Sequence, residues 1–389
     1  MRLDGVSVLD LTRLLPGPYA TQLLADAGAD VIKIEDTDAG DYARRMEPMT
    51  EQGIGAVFDA VNRGKRSVGL DLKSESGREA FYELLADADV VVESFRPGVA
   101  ERLGIDYGTV SDHRSAVIYC SLTGYGQNGP YAERASHDLN CVGLSGLLDM
   151  TRRSVDEAPR MPGYQIADIG GGLLAAFSIC AALLSRELGD GDGEYLDVSM
   201  TDAVVSFSQA LAPAALCGDD PRPGETPFTG QYPCYGVYEA KDGNYLTLGA
   251  LEPKFFETFC AAVDRPELAE EHLSEDPAVR AALRRELEAI VSERSRDEWV
   301  EFLADIDTAV GGVYTPQEAL EHPQIEARGY VQRPEDGVPR LGFPVCGSDV
   351  PERNDGDVPG HGEHTTAVLE SVGYDSDEID RLRSDGAVE

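Results

Sequence analysis

His137 and Asp138 stand side by side in Ala135-Ser-His-Asp-Leu-Asn140, directly ahead of a glycine-punctuated apolar run, Cys141-Val-Gly-Leu-Ser-Gly146. An imidazole next to a carboxylate gives two groups able to carry a proton near neutral pH. A second carboxylate, Asp168, lies in Gln165-Ile-Ala-Asp-Ile-Gly-Gly-Gly172, at the mouth of a long apolar helical pattern. There the helix dipole favours an acid, and the glycines are expected to let a substrate approach the backbone. Glu252 follows a hairpin pattern in Gly249-Ala-Leu-Glu-Pro253, and Arg96 leaves a buried strand pattern in Glu93-Ser-Phe-Arg-Pro-Gly98, a place suited to an anionic ligand. Each has a plainer explanation: Asp168 as a helix N-cap, His137 as a hydrogen-bonded structural histidine, Glu252 as a helix start, Arg96 as half of an ion pair. His361-Gly-Glu-His364 offers two imidazoles in a polar tail without a third ligand or the helix of a zinc site, so no metal is expected.

Several familiar chemistries find no motif. The first strand is followed by Leu15-Pro-Gly-Pro-Tyr19 rather than G-x-G-x-x-G, so a nicotinamide or flavin cofactor is unsupported, and neither a P-loop nor a G-x-S-x-G elbow occurs. The cysteines, Cys120, Cys141, Cys180, Cys217, Cys234, Cys260 and Cys346, form no CxxC pair and read as buried thiols in a reducing compartment. Nothing around Cys234 argues for an activated nucleophile.

The elements that must position these residues alternate between strand and helix. Val6–Leu11 and Asp30–Glu35 read as strands, joined by a turn at Pro16-Gly-Pro18 and a helix over Tyr19–Gly28, which makes a βαβ unit. Further strands are expected at Arg66–Leu72, Val90–Val92, Ala116–Cys120 and Glu194–Ser199. Ser76-Gly-Arg-Glu79 has the spacing of a capping box, and 170–186 reads as a buried helix. A proline- and glycine-rich stretch around 212–224 reads as a linker. Beyond it the Asp-Gly turn at Lys241-Asp-Gly243 predicts a hairpin between Gly236–Glu239 and Tyr245–Leu248, followed by charged helices to about Ala304. The tail from Pro351 is polar and is expected to wrap a surface.

The chain of 389 residues is 42% hydrophobic, enough for a two-domain fold with a sizeable core. Its longest apolar run, Gly170–Leu184, falls short of a membrane span, and Met1-Arg-Leu-Asp-Gly5 has no apolar signal region, so a cytoplasmic enzyme is expected. Acidic residues number 71 against 33 basic, a net charge of −38, and the lysines are only Lys33, Lys65, Lys73, Lys241 and Lys254. Such a surface repels nucleic acid and anionic membranes, and dispersed carboxylates of this kind are expected of a protein from a high-salt cytoplasm.

Ordered motifs along nearly the whole chain resemble the family III CoA-transferases (CaiB/BaiF type). They are Gly5-Val-Ser-Val-Leu-Asp-Leu11, Gly17-Pro18, Leu24-Ala-Asp-Ala-Gly-Ala-Asp-Val-Ile-Lys-Ile-Glu35 and Asn62-Arg-Gly-Lys-Arg-Ser67. Asp71-Leu-Lys73, Phe95-Arg-Pro-Gly-Val-Ala-Glu-Arg-Leu-Gly104, Gly124-Tyr-Gly-Gln-Asn-Gly-Pro130 and Gly362-Glu-His-Thr365 continue the series. The resemblance implies an α/β fold: a Rossmann-like large domain from 1–211 and 331–389 with a parallel sheet, a smaller α+β domain over 225–330, and two subunits interlocked as a homodimer. It implies an acyl-CoA substrate and no separate cofactor, and the acidic surface adds the expectation of no nucleic-acid or membrane partner.

Within the family the chain is most similar to the α-methylacyl-CoA racemases. These read Gly-His-Asp-Ile-Asn-Tyr against Ser136-His-Asp-Leu-Asn-Cys141, Asp-Phe-Gly/Ala-Gly-Gly against Asp168-Ile-Gly-Gly-Gly172, and Gly-Ala-Ile-Glu-Pro against Gly249-Ala-Leu-Glu-Pro253. The resemblance implies His137 and Asp168 as the acid/base pair, with Asp138 and Glu252 supporting the histidine. It implies that Arg96 and Asp71-Leu72-Lys73 hold the CoA phosphates, with Gly124, Tyr125 and Gly126 also on the CoA site. Phe228-Thr-Gly-Gln-Tyr-Pro-Cys234 departs from the racemase pattern and leaves the acyl group open. Inverting a carbon α to a thioester needs a base on one face and an acid on the other, with an enolate between them. Backbone N–H groups in the glycine-rich turns are expected to stabilise its oxygen. Two alternatives stand: CoA transfer, in which the resemblance implies Asp138 as nucleophile through an anhydride, and a non-catalytic acyl-CoA-binding protein.

Overall fold

A computed structural model of the chain describes residues 2–333, 338–350 and 356–389. The apolar runs form six strands, β1 (Ser7–Leu11), β2 (Asp30–Glu35), β3 (Arg66–Gly69), β4 (Val90–Glu93), β5 (Ile118–Thr123) and β6 (Glu194–Ser199). They lie in the order β3-β2-β1-β4-β5-β6, and every neighbouring pair is parallel. The order reverses between β1 and β4, so the carboxyl ends of these strands open the crevice in which such sheets bind ligands.

Side-chain alternation builds a core on each face of this sheet. Val8, Val90, Val92, Ile118 and Cys120 pack with Ala20 and Leu24 of the helix Pro16–Asp26 and with Ala175 and Ile179 of the helix Ile166–Leu188. Leu9, Leu11, Val91 and Tyr119 face the other way, onto Phe81, Leu84 and Leu85 of the helix Glu75–Ala86. Pro16 is the first residue of its helix rather than part of a turn, a position that wastes no N–H. The Glu75–Ala86 helix is capped by Ser74, whose Oγ accepts from Gly77 N–H at 3.0 Å, so the expected box at Ser76-Glu79 lies inside the helix.

The helix Ile166–Leu188 is longer than the sequence pattern indicated. Its 23 residues are long and apolar enough, by length and composition, to cross a membrane, but one face is packed against the sheet. The start of the tail, Pro351, lies outside the described residues. Past it the chain does more than wrap a surface: Val368, Leu369, Ile379 and Val388 enter the second core. Leu70 bridges Val388, and Asp71 N–H donates to the Ala387 carbonyl at 2.9 Å.

The chain divides into two compact units, one of 1–147, 162–208 and 328–389, the other of 148–161 and 209–327. Residues 148–161 thus group with the second unit rather than with the large domain expected from sequence, and the expected linker at 212–224 is part of that unit and carries the helix Ala212–Leu216. The second unit has an antiparallel sheet of β7 (Tyr235–Glu239), β8 (Tyr245–Gly249) and β9 (Val310–Gly312), with the hairpin at the expected Asp-Gly turn. Its core gathers Tyr238, Leu246, Phe256, Leu283, Leu287 and Trp299 from that sheet and the helices Pro253–Ala262, Pro277–Val291 and Arg296–Phe302.

Candidate active site

His137 is the N-cap of a short helix, Asp138–Leu144, with extended backbone angles, and its N–H donates to Asn140 Oδ1 at 3.0 Å. Its ring is exposed. Asp138 opens the same helix and points its carboxylate at a different one. Asp138 Oδ1 accepts from Ala167 N–H at 2.6 Å and from Asp168 N–H at 3.3 Å, the second and third residues of the helix Ile166–Leu188. Gln165, the N-cap of that helix, contributes no side-chain bond, so Asp138 caps it from a distant part of the chain. Asp168 is therefore not the cap.

The Asp168 carboxyl lies in the first turn of this helix. Burial, reinforced by the charge of Asp138, pushes its pKa up from the ordinary carboxylate range to about 7. The two carboxyl groups thus differ: Asp138 is engaged with backbone donors, and the pKa of Asp168 is pushed up to about 7. Both charges are felt by the buried Cys141 thiol, four residues after His137, whose pKa is raised first of all by its burial.

Gly124, Tyr125 and Gly126, assigned above to CoA, are built into the support of this helix start. The Gly124 carbonyl accepts from Thr201 N–H at 3.1 Å, from Thr201 Oγ1 at 2.7 Å and from Cys141 Sγ at 3.4 Å. A side chain at Gly124 would overlap Ser136 Oγ, next to His137. Gly126 has φ +78°, and the following Gln127 N–H donates to both oxygens of Asp197 at 3.1 and 3.0 Å. Tyr125 packs edge-on to Tyr131 at 5.5 Å.

The glycine run after Asp168 has a different use from the one expected. A Cβ on Gly172 would come 2.5 Å from the Pro16 carbonyl, and one on Gly171 2.7 Å from Met200 Cγ. These glycines let helices approach each other, not a substrate. The first N–H groups of the helix are also taken, Ile166 by the Tyr164 carbonyl at 3.0 Å and the next two by Asp138, so they do not serve as free donors to an enolate.

Asp71, Leu72 and Lys73 line a cavity of about 190 Å³ at the carboxyl ends of the strands, together with Arg13, Phe95 and Leu103. The Arg13 guanidinium stands 5.8 Å from the centre of the Phe95 ring. Arg13 occupies the loop where a dinucleotide motif would have been, and that loop is pinned from beneath. The buried Lys33 Nζ donates to the Thr12 carbonyl at 2.9 Å and pairs with Asp41 at 3.1 Å. Asp41 in turn accepts the N–H of Leu14, a non-glycine residue at φ 66°, at 3.2 Å. The βαβ pattern gave the position of this loop, but not Arg13 as a wall of the cavity. Arg96 is exposed and is not part of the lining.

Glu252 belongs to the second unit, exposed at the N-cap of Pro253–Ala262. Its carbonyl starts the helix by accepting from Phe255 and Phe256 N–H at 3.1 and 3.4 Å, while its side chain makes no capping bond. A larger open cavity of about 1520 Å³ within that unit is lined by Phe228, Tyr235, Val237, Tyr245, Arg153 and Arg284, among others, and contains none of the four acid/base candidates. Cys234 is buried in the core of that unit, with its thiol pushed up to about 11, which leaves little thiolate at neutral pH. His361 and His364 are structural. His361 joins Glu389 at 2.7 Å and the Asp36 carbonyl at 2.8 Å, and His364 Nδ1 accepts from Ser67 N–H at 3.2 Å. Among the described residues no group of three or more His, Cys, Asp or Glu side chains forms a metal cluster.

Residues 3–365 match the family model for CoA-transferase family III. The chain belongs to that family. It is 34% identical to the succinyl-CoA:mesaconate CoA-transferase of Haloarcula marismortui, over 98% of this chain and 99% of that protein. It is 30% identical to the alpha-methylacyl-CoA racemase of Homo sapiens, over 100% of this chain and 98% of that protein. Among solved structures, a CAIB/BAIF family protein from Brucella suis superposes with a TM-score of 0.82 at 34% identity, covering 95% of this chain and 98% of that one. The family therefore includes both transferases and racemases at similar distance from this chain, and the α/β architecture is that of family III.

Proposed function

We propose that this family III enzyme is an acyl-CoA epimerase of the α-methylacyl-CoA racemase type, which inverts the carbon α to the thioester of a 2-methylacyl-CoA by two-base proton transfer. The observation that carries this reading is the Asp168 carboxyl, poised at about 7 beside a second, differently engaged carboxylate and on the same unit as the exposed His137. In one direction neutral His137 takes the α-proton, the electrons move into the thioester carbonyl as an enolate, and protonated Asp168 returns a proton to the opposite face. In the other direction the roles exchange. A group with a pKa near the working pH populates both forms, as the two directions require. Asp138 holds the start of the Asp168 helix and raises the Asp168 pKa, while Arg13 and Lys73 offer cationic groups to the phosphates at the cavity.

The test is NMR of a 2-methylacyl-CoA with the enzyme in D₂O, without added carboxylic acid. Loss of the α-proton signal, abolished in Asp168→Ala, supports the epimerase. A transferase requires an acceptor acid, and that second reading is favoured by the relatives that carry transferase names. In the form with Asp138 as nucleophile, Oδ1 is engaged by two N–H groups, so attack falls to Oδ2. Acceptor-dependent turnover without α-proton exchange, lost in Asp138→Ala, would replace the epimerase reading with this one.

The proposed enzyme is a cytoplasmic homodimer with interlocked subunits. Leu173, Phe177, Leu184 and Leu188 on the long helix are exposed, and an apolar row of this kind is suited to a subunit contact. A monomeric mass by light scattering would remove this part.

A further inference from the structure

The last residue of β4, Glu93, is 2% exposed and has no part in the proton transfers above. Its two oxygens are divided between neighbouring elements. Oε2 accepts from Phe95 N–H at 2.6 Å, and Oε1 accepts from the Ser121 hydroxyl on β5. Phe95 is a wall of the 190 Å³ cavity, and Ser121 lies three residues before the Gly124 carbonyl that supports the His137 helix. Glu93 thus ties a wall of the cavity to the strand that runs on to Gly124.

We propose that Glu93 is a positioning residue for the nucleotide end of the substrate: its ionised carboxylate fixes Phe95 through a charge-assisted hydrogen bond, and its protonation loosens that wall. The proposal rests on the reading that the cavity takes the nucleotide of an acyl-CoA. The charged group facing Glu93 is Asp197 on β6, and among the described residues no cation pairs with it. Tyr119 and Cys120 on β5 and Tyr195 on β6 are its other titratable neighbours, and burial keeps all three protonated at neutral pH. Burial, with a smaller contribution from Asp197, pushes Glu93 up to about 7, so the ionised form dominates above neutrality and the neutral form below it.

The carboxylic acid still satisfies both partners, by accepting from Phe95 N–H and donating to Ser121, but without the charge that strengthens the first bond. Glu93→Gln imitates this neutral form with the same shape. The experiment is the dissociation constant of CoA itself, without turnover, for the full-length enzyme and Glu93→Gln at pH 6 and pH 8. The variant is expected to bind on the order of fivefold more weakly than the parent at pH 8 and equally at pH 6, the difference between a charge-assisted and a neutral hydrogen bond. Taking the ratio at each pH cancels titration of the CoA phosphates. A ratio that stays the same at both pH values, whatever its size, would overturn the positioning role. Failure of the parent enzyme to bind CoA at any pH would overturn the nucleotide reading of the cavity, and this role with it.

Discussion

The Asp138 carboxylate accepts the backbone N–H of Asp168 at 3.3 Å, and its charge helps to raise the pKa of the Asp168 carboxyl to about 7. One residue therefore places the helix that carries the other and sets its chemistry. The two cannot be treated as independent acids, because removing Asp138 moves both the position and the protonation of Asp168.

Asp138→Asn separates these effects. The amide oxygen still accepts from Ala167 and Asp168 N–H, but the negative charge is gone. The Asp168 pKa then falls from about 7, only part of the way, because burial is the larger cause. The limb of the kcat–pH profile that reports Asp168 is expected at lower pH in the variant, while Asp138→Ala also loses the cap, at a cost of about 0.5–2 kcal/mol in chemical denaturation. An unchanged pH profile in Asp138→Asn would mean that Asp168 is not the titrating group.

His137→Ala and Asp168→Ala are each expected to slow α-proton exchange by about 10²-fold or more, the contribution of a general acid or base. His137 is exposed, so its loss should leave the melting temperature close to that of the parent. Near-parental exchange in either variant would exclude the two-base assignment.

Much of the fold was legible because strand alternation and βαβ spacing are local. Val8-Leu9 and Val90-Val91-Val92 read as buried strands and are buried on both faces. Asp138 was legible as a functional residue but not as the cap of a helix 28 residues further on, since Gln165 in the cap position gives no sign of a partner from elsewhere. Gly171 and Gly172 looked like a substrate approach because glycine marks a close contact without saying what comes close; here it is Met200 and Pro16. Arg13 and the Lys33–Asp41 pair beneath it escaped for the same reason, because the contacts that define them join separate segments of the chain.

The Lys33–Asp41 pair is fully buried, with both side chains at 0% exposure. Lys33→Met leaves Asp41 charged and buried without this partner, and a loss of about 3–5 kcal/mol is expected in chemical denaturation. Lys33→Met with Asp41→Leu removes both charges and should recover part of it, although the Leu14 and Ala43 N–H groups then lose their acceptor. A fully additive double variant would show that the two residues are not coupled.

Asp168 also ties activity to stability. Its pKa rises from 3.8 in the unfolded chain to about 7 in the fold, so between these values the folded state binds more protons than the unfolded state. Its contribution to stability is fully present below pH 4 and is lost as the pH rises through 7, where a second negative charge forms in a half-buried place beside Asp138. Asp168→Asn keeps the shape and cannot ionise. Its melting temperature is expected to exceed that of the parent at pH 8, and the gain should shrink at pH 5, where the parent's Asp168 is largely protonated. Glu93 titrates in the same range but is present in both proteins, so it cancels in the difference. A gain equal at both pH values would show that the substitution acts through packing, and that Asp168 does not carry the raised pKa on which its role as an acid depends.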